Sequence, residues 1–294
     1  MSNSTATATK EMHPRAKQVE DAIRLATYDG DFSAMEALIS PDAVLYAHCK
    51  GPMGGVHRGR DACLGNFKHL DAFVNGSLHL DTLQTMGTDA FVVMHVRATA
   101  VRSREMIDGS IDRAELDEPI SVTWRFVDGQ CVEFFDHFHN PAAWDAFWRF
   151  DDYNAVKTPP SSGGVAAEKV TDTVERISRE GNNDLLREFF SPDVVSDVDG
   201  NSPLGGIHEG IDSVLAGFGR VYELTGGQFT VEAEDVLANE HWATIFNRIT
   251  ATYNGNSIEH MFCTIWRIED GKVTNVFLHF EDVEKWDAFW AEAS

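Results

Sequence analysis

The sequence has 294 residues, enough for two ordinary domains, and 43% of them are hydrophobic, enough to give each domain a packed core. Its 47 acidic and 24 basic residues leave a formal charge of −23, which argues against binding to nucleic acid or to an anionic membrane surface. We predict a cytoplasmic protein, because the four cysteines show no CxxC spacing, the N-terminus shows no apolar signal segment and the sequence has no long apolar run.

The first half of the chain predicts helices followed by strands. HPRAKQVEDAIRLATYDGDFSAMEALI has the spacing of two helices with a break at its Asp-Gly-Asp, AVLYAH is a strand, and GRDACLGNFKHLDAF is a third helix. The strands SLHLDTLQTM, AFVVMHVRATAV, ISVTWRFV and CVEFFDHF follow. This order predicts an α+β domain, with helices on one face of an antiparallel sheet and a pocket between the two layers.

The second half repeats the first. SPDAVLYAHCKGPMGGVHRGRDA (40–62) matches SPDVVSDVDGNSPLGGIHEGIDS (191–213) at a constant offset of 151 residues. At Trp124 and Trp266 the offset has fallen to 142, so the first copy holds extra residues in VRSREMIDGSIDRAELDE, which we interpret as a longer hairpin. Two like domains in tandem follow from this repeat.

The composition between the copies sets the predicted boundaries. We expect a mobile tail (1–15), a first domain (16–150), a Pro-, Ser- and Gly-rich linker (151–166) and a second domain (167–294). Each domain ends in WDAFW, whose two tryptophans lie four residues apart. This spacing predicts a short helix that packs both rings on the core.

Several segments carry a family resemblance. FSPDVVSDVDGNSPLGGIHEG, TGGQFTVEAEDVLANEHWATIFNRITA and WRIEDGKVTNVF resemble the SnoaL-like branch of the nuclear transport factor 2-like, ketosteroid isomerase-like superfamily. The resemblance covers 19–148 and 170–290 and implies two cones, each a curved antiparallel sheet with three helices on its concave face. It also implies an intramolecular pseudo-dimer through the outer sheet faces, where strand alternation would place Trp124 and Trp266, and it allows further homo-oligomers.

Asp136 is the main candidate for chemistry. Alternation along CVEFFDHF puts Phe134, Asp136 and Phe138 on one face, and the resemblance implies that this face lines the cone. A carboxyl flanked by phenylalanines is costly to ionise, so we expect its pKa to rise toward the range useful for general acid or base catalysis, unless a cation pairs with it. The alternative is a strand-end aspartate that is solvated or satisfied by the backbone.

The candidate catalytic set includes residues on other strands of the first copy. By resemblance, His79 matches the histidine that dehydratases of this fold use as a base. Arg97 matches an arginine that orients acidic residues in the epoxide hydrolase branch, although Thr99 stands where that branch has an aspartate. Tyr46 and His48 share one face of the first strand and would reach the pocket if the longer loop after it shifts the strand's phase. The alternatives are an ordinary core or surface histidine and an ion-paired arginine on the outer face.

The second copy has a different set of polar residues. Asp197 and Asp199 lie at the positions of Tyr46 and His48, and Arg248 is equivalent to the first copy's arginine, which makes these three the candidates for a second-domain pocket. Thr230 and Leu278 stand where the first copy has its histidine and its strand-end aspartate. The first domain is therefore the better candidate for chemistry.

Two functions compete at this point. The first is a cofactor-independent acid–base enzyme of the cyclase, isomerase, dehydratase or epoxide hydrolase type, acting on a small, mostly apolar molecule in the first domain's pocket. Such reactions require only proton transfers, so we expect no cofactor, and the cysteine and histidine spacings predict no metal site. The alternative is a non-catalytic protein that binds a small apolar or amphipathic ligand or serves in assembly.

Overall fold

The computed structural model describes residues 12–51, 54–157, 169, 172–173, 176 and 184–291. Within these residues the chain forms two α+β domains in tandem, each built on a six-stranded sheet with helices, which confirms the predicted fold class. The predicted tail and linker fall largely outside the described residues. The domain boundaries and the pseudo-dimer stay predictions.

The first copy of the repeat and the segment that follows it form five helices and six strands among the described residues. The helices are α1 (Pro14–Asp29), α2 (Ser33–Leu38), α3 (Arg60–Phe73), α4 (Pro141–Arg149) and α5 (Tyr153–Val156). The strands are β1 (Ile39–Ala47), β2 (Gly55–Arg58), β3 (His79–Gly87), β4 (Phe91–Glu105), β5 (Ile111–Val127) and β6 (Gln130–Phe138). The last helix, α5, lies within the range predicted to be a linker.

The second domain repeats this order in the residues that are described. Its helices are α6 (Asp184–Phe189), α7 (Ile211–Leu224) and α8 (Val283–Ala291). Its strands are β7 (Phe190–Val198), β8 (Gly206–Glu209), β9 (Phe229–Ala238), β10 (Trp242–Tyr253), β11 (Asn256–Glu269) and β12 (Lys272–Phe280). No helix in the described parts of either domain is long and apolar enough to cross a bilayer.

Each sheet is mixed, whereas the sequence predicted an antiparallel one. The strand orders are β2-β1-β6-β5-β4-β3 and β8-β7-β12-β11-β10-β9. The first strand of each domain pairs with the last in parallel, and this pairing places Ala47 beside Asp136 and Val198 beside Leu278. A parallel pair requires a long connection between its strands, and all the intervening elements of the domain supply it here.

The helices cover one side of the first sheet, called here the helix-facing side. α1 packs on β3 and β4, and α3 packs on β1. α1 ends at Gly30, which has a φ of 66° and donates its N–H to the Leu25 carbonyl, as expected for a left-handed cap that favours glycine. The predicted break between the first two helices is therefore confirmed.

The extra residues of the first copy extend one hairpin. β4 and β5 have 15 and 17 residues, against 12 and 14 in β10 and β11. The hairpin closes through a backbone bond from the Met106 N–H to the Ser110 carbonyl. The interpretation of the insertion as a longer hairpin is confirmed.

The repeated WDAFW motif packs on the end of each sheet, as predicted. Trp144 and Trp286 are 3% and 0% exposed, and their rings contact Phe138 and Phe280, the last residues of β6 and β12. The aspartate of the motif has a role that the sequence did not reveal. Asp145 accepts backbone N–H bonds from Lys50 (3.0 Å) and Gly51 (2.6 Å) and so holds the loop after β1.

The sequence placed Trp124 and Trp266 on the outer sheet faces, and this was wrong. Trp266 belongs to the core of the second domain and contacts Phe190 edge-on. Trp124 is fully buried and contacts Phe134, with ring centroids 4.6 Å apart. Both rings fill a core, because a large aromatic side chain gains most from complete burial.

Candidate functional site

The Asp136 side chain lies on the helix-facing side of the first sheet. β6 pairs with β1 so that Asp136 is beside Ala47 and Phe134 is beside Leu45, and Phe134, Leu45 and Ala47 are all buried. Burial raises the pKa of Cys63 on α3, and the nearby Asp136 charge adds to that rise. The carboxyl therefore lies between the end of β6 and α3, on the strand face that the family resemblance implied would line the pocket.

No hydrogen bond or ion pair engages the Asp136 carboxyl within the described residues. Its Oδ1 atom is sealed from solvent and has no partner, while the residue as a whole stays partly accessible. Burial of the carboxyl raises the pKa of Asp136 from 3.8 to about 7. A carboxyl in this state exchanges a proton near neutral pH, which is the property required of a general acid or base.

His48 is the candidate that contacts Asp136, and it does so through the backbone. The His48 N–H donates to the Asp136 carbonyl at 3.1 Å, and the His48 Nδ1 lies 3.3 Å from the same oxygen. These contacts fix the end of β6 against the residue that follows β1. Tyr46 lies elsewhere, because its ring stacks on Phe135, on the opposite face from the carboxyl.

His79 does not converge with Asp136. Its ring stacks on Tyr28 with centroids 4.5 Å apart, and its Nδ1 lies 3.0 Å from the Thr27 carbonyl at the end of α1. The carbonyl can only accept, so the proton of a neutral imidazole is on Nδ1 and the lone pair is on Nε2. Two strands separate β3 from β6, a distance of about 14 Å along the sheet at normal strand spacing. The expected His79–Asp136 pair is therefore not formed.

The two arginine candidates lie away from the helix-facing core. Arg97 is exposed, and the register of β3 and β4 places its backbone opposite that of Asp81. Arg248 forms ion pairs with Glu234 and Glu259 at the second sheet's surface. The structure therefore matches the alternative given for Arg248, an ion-paired arginine, because two carboxylates pair with its guanidinium at the solvent-accessible surface of the sheet.

The second-domain aspartates are not brought together into a pocket either. Asp197 is in register with Phe277 on β12, and Asp199 Oδ2 lies 3.0 Å from Nδ1 of His279. Leu278, which replaces the first domain's Asp136, is 3% exposed and belongs to the hydrophobic core. The helix-facing side of this sheet thus has an apolar side chain where the first domain has a carboxyl.

One further carboxylate on the helix-facing side was not predicted from the sequence. Asp71 on α3 lines a narrow crevice between the helices and β3, and its Oδ1 atom is buried without a hydrogen-bond partner. The repeat is the sequence feature that could have singled out Asp71, because the equivalent residue of the second copy is Tyr222 and not a carboxylate. No group of three or more His, Cys, Asp or Glu side chains in the described residues is arranged to hold a metal ion.

Comparison with known sequences identifies the family to which both domains belong. The model of the SnoaL-like domain family matches residues 19–134 and again 170–276. Together these regions cover most of the chain. The protein belongs to the SnoaL-like domain family, with two copies of the domain in tandem.

The individual relatives are each similar to one domain. An uncharacterized protein of Mycobacterium tuberculosis is 30% identical over 107 residues, which are 36% of this chain and 82% of that protein. A Xanthomonas campestris protein of unknown function with a cystatin-like fold is 28% identical, with a TM-score of 0.40, over 43% of this chain and 98% of that one. A putative SnoaL-like polyketide cyclase from Jannaschia sp. CCS1 is 20% identical, with a TM-score of 0.36, over 45% of this chain and 99% of that one.

Proposed function

We propose that the first domain is a cofactor-independent acid–base enzyme that acts on a small, mostly apolar molecule, in a cyclisation, isomerisation, dehydration or epoxide opening. The observation that carries this proposal is the Asp136 carboxyl, which is buried on the helix-facing side and has no hydrogen-bond or ionic partner. A buried polar group without a partner costs folding free energy, and such groups concentrate where function requires them.

Asp136 acts as the proton carrier in this proposal. In its ionised form the carboxylate removes a proton from a carbon or oxygen of the substrate, and it then returns the proton to another atom of the same molecule. The apolar surroundings that raise its pKa also make the carboxylate a stronger base than a solvated aspartate. Isomerisation, cyclisation and epoxide opening by a hydroxyl group of the same molecule are completed by such transfers. In a dehydration the hydroxyl group that receives the proton leaves as water, and in a hydrolytic epoxide opening the proton is removed from a water molecule that adds to the ring carbon.

The other candidate residues and the second domain have different roles in this proposal. His48 is a positioning residue, because its backbone and its ring both contact the Asp136 carbonyl. His79 contributes no proton to Asp136, so the proposal assigns the transfer to Asp136 alone. The second domain is proposed to be a non-catalytic binding or assembly unit, which the apolar Leu278 in its core supports. The four free cysteines, three of them buried, support a reducing, cytoplasmic setting.

A pH–rate profile tests this proposal. Small molecules that co-purify with the protein are identified by native mass spectrometry, and turnover of the identified compound is measured from pH 5 to pH 9. If the ionised carboxylate starts the reaction, kcat/KM rises with pH and levels off above a midpoint near the Asp136 pKa of about 7. A bound compound that the protein never converts would favour the alternative, a non-catalytic binding protein.

A further inference from the structure

Two histidines face each other inside one compact unit of the chain, which includes the described residues from 137 onward. His137 lies near the end of β6 and His279 near the end of β12, and they are 1% and 3% exposed. Their Nε2 atoms are 3.1 Å apart, and the rings are stacked with centroids 5.2 Å apart. This separation is that of a hydrogen bond between the two imidazoles.

A carboxylate determines which ring donates in this hydrogen bond. Asp199 Oδ2 lies 3.0 Å from Nδ1 of His279, and an ionised carboxyl can only accept a hydrogen bond, so Nδ1 of His279 carries a proton. Nε2 of the neutral His279 ring is then an acceptor, and His137 donates its Nε2 proton to it. The Asp199 side chain is 26% exposed, so protons from water reach the group through Asp199.

The facing nitrogens limit the charge that the pair can hold. One added proton is accommodated, because His279 becomes an imidazolium beside the Asp199 carboxylate and donates from Nε2, while His137 accepts there and keeps its own proton on Nδ1. A second added proton puts an N–H group on both facing nitrogens and two positive rings in contact, away from water. The closed pair therefore takes up one proton where two exposed histidines take up two.

Next to His279, Asp199 supplies a negative charge and Cys263 supplies none. Cys263 lies directly opposite His279 on β11. Burial raises the pKa of the Cys263 thiol well above its ordinary value, and the Asp199 charge adds to the rise, so the thiol stays neutral. Asp199 is thus the counter-charge for one imidazolium.

Next to His137, the surroundings are uncharged near neutral pH. The ring of Phe277 lies against His137 with centroids 4.1 Å apart. His139 follows two residues later, and its Nε2 lies 3.0 Å from the Ile268 carbonyl. Burial lowers the pKa of His139 to about 4, so this ring is neutral at pH 5 and above.

We propose that His137 and His279 form a pH-sensitive latch, which stays closed while the pair carries at most one added proton and opens when acid charges both rings. In the closed state the shared hydrogen bond and the Asp199 carboxylate hold both rings. In acid the two N–H groups oppose each other, and one ring has to leave for water. The latch goes beyond the proposed proton transfer and does not require Asp136 to be catalytic.

His137→Gln in the full chain tests the latch, because glutamine can donate or accept a hydrogen bond but takes up no proton. Denaturant unfolding of both proteins is measured from pH 7 to pH 4. The unfolded wild-type chain binds one proton more than the closed pair, so below about pH 6 its unfolding equilibrium constant should rise about tenfold more per pH unit than that of the variant. His69→Gln, at an exposed histidine of α3, should keep the wild-type pH dependence.

Ring-nitrogen NMR of the wild-type chain gives a second measurement, which decides the question if His137→Gln does not fold. At pH 7 we expect a scalar coupling between the Nε2 nuclei of His137 and His279, because a hydrogen bond joins them. On acidification the coupling should disappear when both rings become doubly protonated, and the ring–ring NOE contacts should disappear with it. Two doubly protonated rings with intact NOE contacts, or a folded His137→Gln protein with the wild-type pH dependence, would overturn the proposal.

Discussion

Asp136→Asn is expected to lower turnover of the enzyme's substrate by about 10²- to 10⁴-fold, the usual contribution of a positioned general acid or base. Asparagine keeps the size and shape of the side chain but cannot take up a proton in this pH range. Because no other titratable side chain hydrogen-bonds to the Asp136 carboxyl within the described residues, we expect no second group to replace it. The loss should fall mainly on kcat, with little change in KM.

The comparison for this experiment is Asp61→Asn, which removes one carboxylate from the exposed surface of α3 and should turn over substrate at the wild-type rate. Circular dichroism and thermal melting of both variants would establish that each is folded. A folded Asp136→Asn protein with wild-type turnover would remove Asp136 from the reaction and leave the first domain as a binding module.

Leu278→Asp is expected to destabilise the protein by about 4 kcal/mol or more at pH 8. The change removes a core side chain, worth about 2–5 kcal/mol in comparable truncations, and adds a polar group without a partner, which costs about 1–3 kcal/mol. Leu278 is 3% exposed among the apolar side chains of the second domain's core, so the new carboxylate would have no access to water there. Denaturant unfolding measures the loss.

The reciprocal change should have the opposite sign. Asp136→Leu installs in the first domain the residue that the second domain carries, and removing an unpartnered buried carboxyl is expected to stabilise that domain by about 1–3 kcal/mol at pH 8. Leu278→Asn controls for polarity without charge, and its cost should not depend on pH, whereas that of Leu278→Asp should be smaller at pH 5. Destabilisation by Asp136→Leu comparable to that by Leu278→Asp would contradict the view that only the first carboxyl is held for function.

The sequence predicted the fold well because its strongest signals are local or repeated. The 151-residue offset, the Gly30 break and the strand alternation that puts Asp136 on one face with Phe134 each depend on short stretches of chain. The family resemblance then implied that this face lines the pocket. The short strand β2 was not predicted, since four residues carry too little pattern. The parallel pairing of β1 with β6 was also missed, because it joins segments that are distant in sequence.

The candidate site was predicted less completely, for a related reason. Strand alternation identifies the side of a sheet that a residue faces, but it does not reveal which group lies opposite. The His79 ring contacts the Thr27 carbonyl and the Tyr28 ring at the end of α1. Arg248 forms ion pairs with two glutamates on neighbouring strands. Asp71 was overlooked because a helical aspartate usually faces water, and only the packing of α2 and β3 around α3 shows that its oxygen is enclosed.

The pKa of the Asp136 carboxyl is the quantity on which the proposed function depends, and it can be measured without a substrate. In a carboxyl-carbon NMR titration, the Asp136 signal is assigned by its absence in Asp136→Asn. Because a raised pKa lets the folded chain hold a proton that the unfolded chain has released, the free energy of unfolding should fall as pH rises from about 4 to about 7, and the asparagine variant should lack this contribution. We expect a titration midpoint near 7. A midpoint near 3.8, the ordinary value for an aspartate, would contradict a buried, unpaired carboxyl ready for proton transfer.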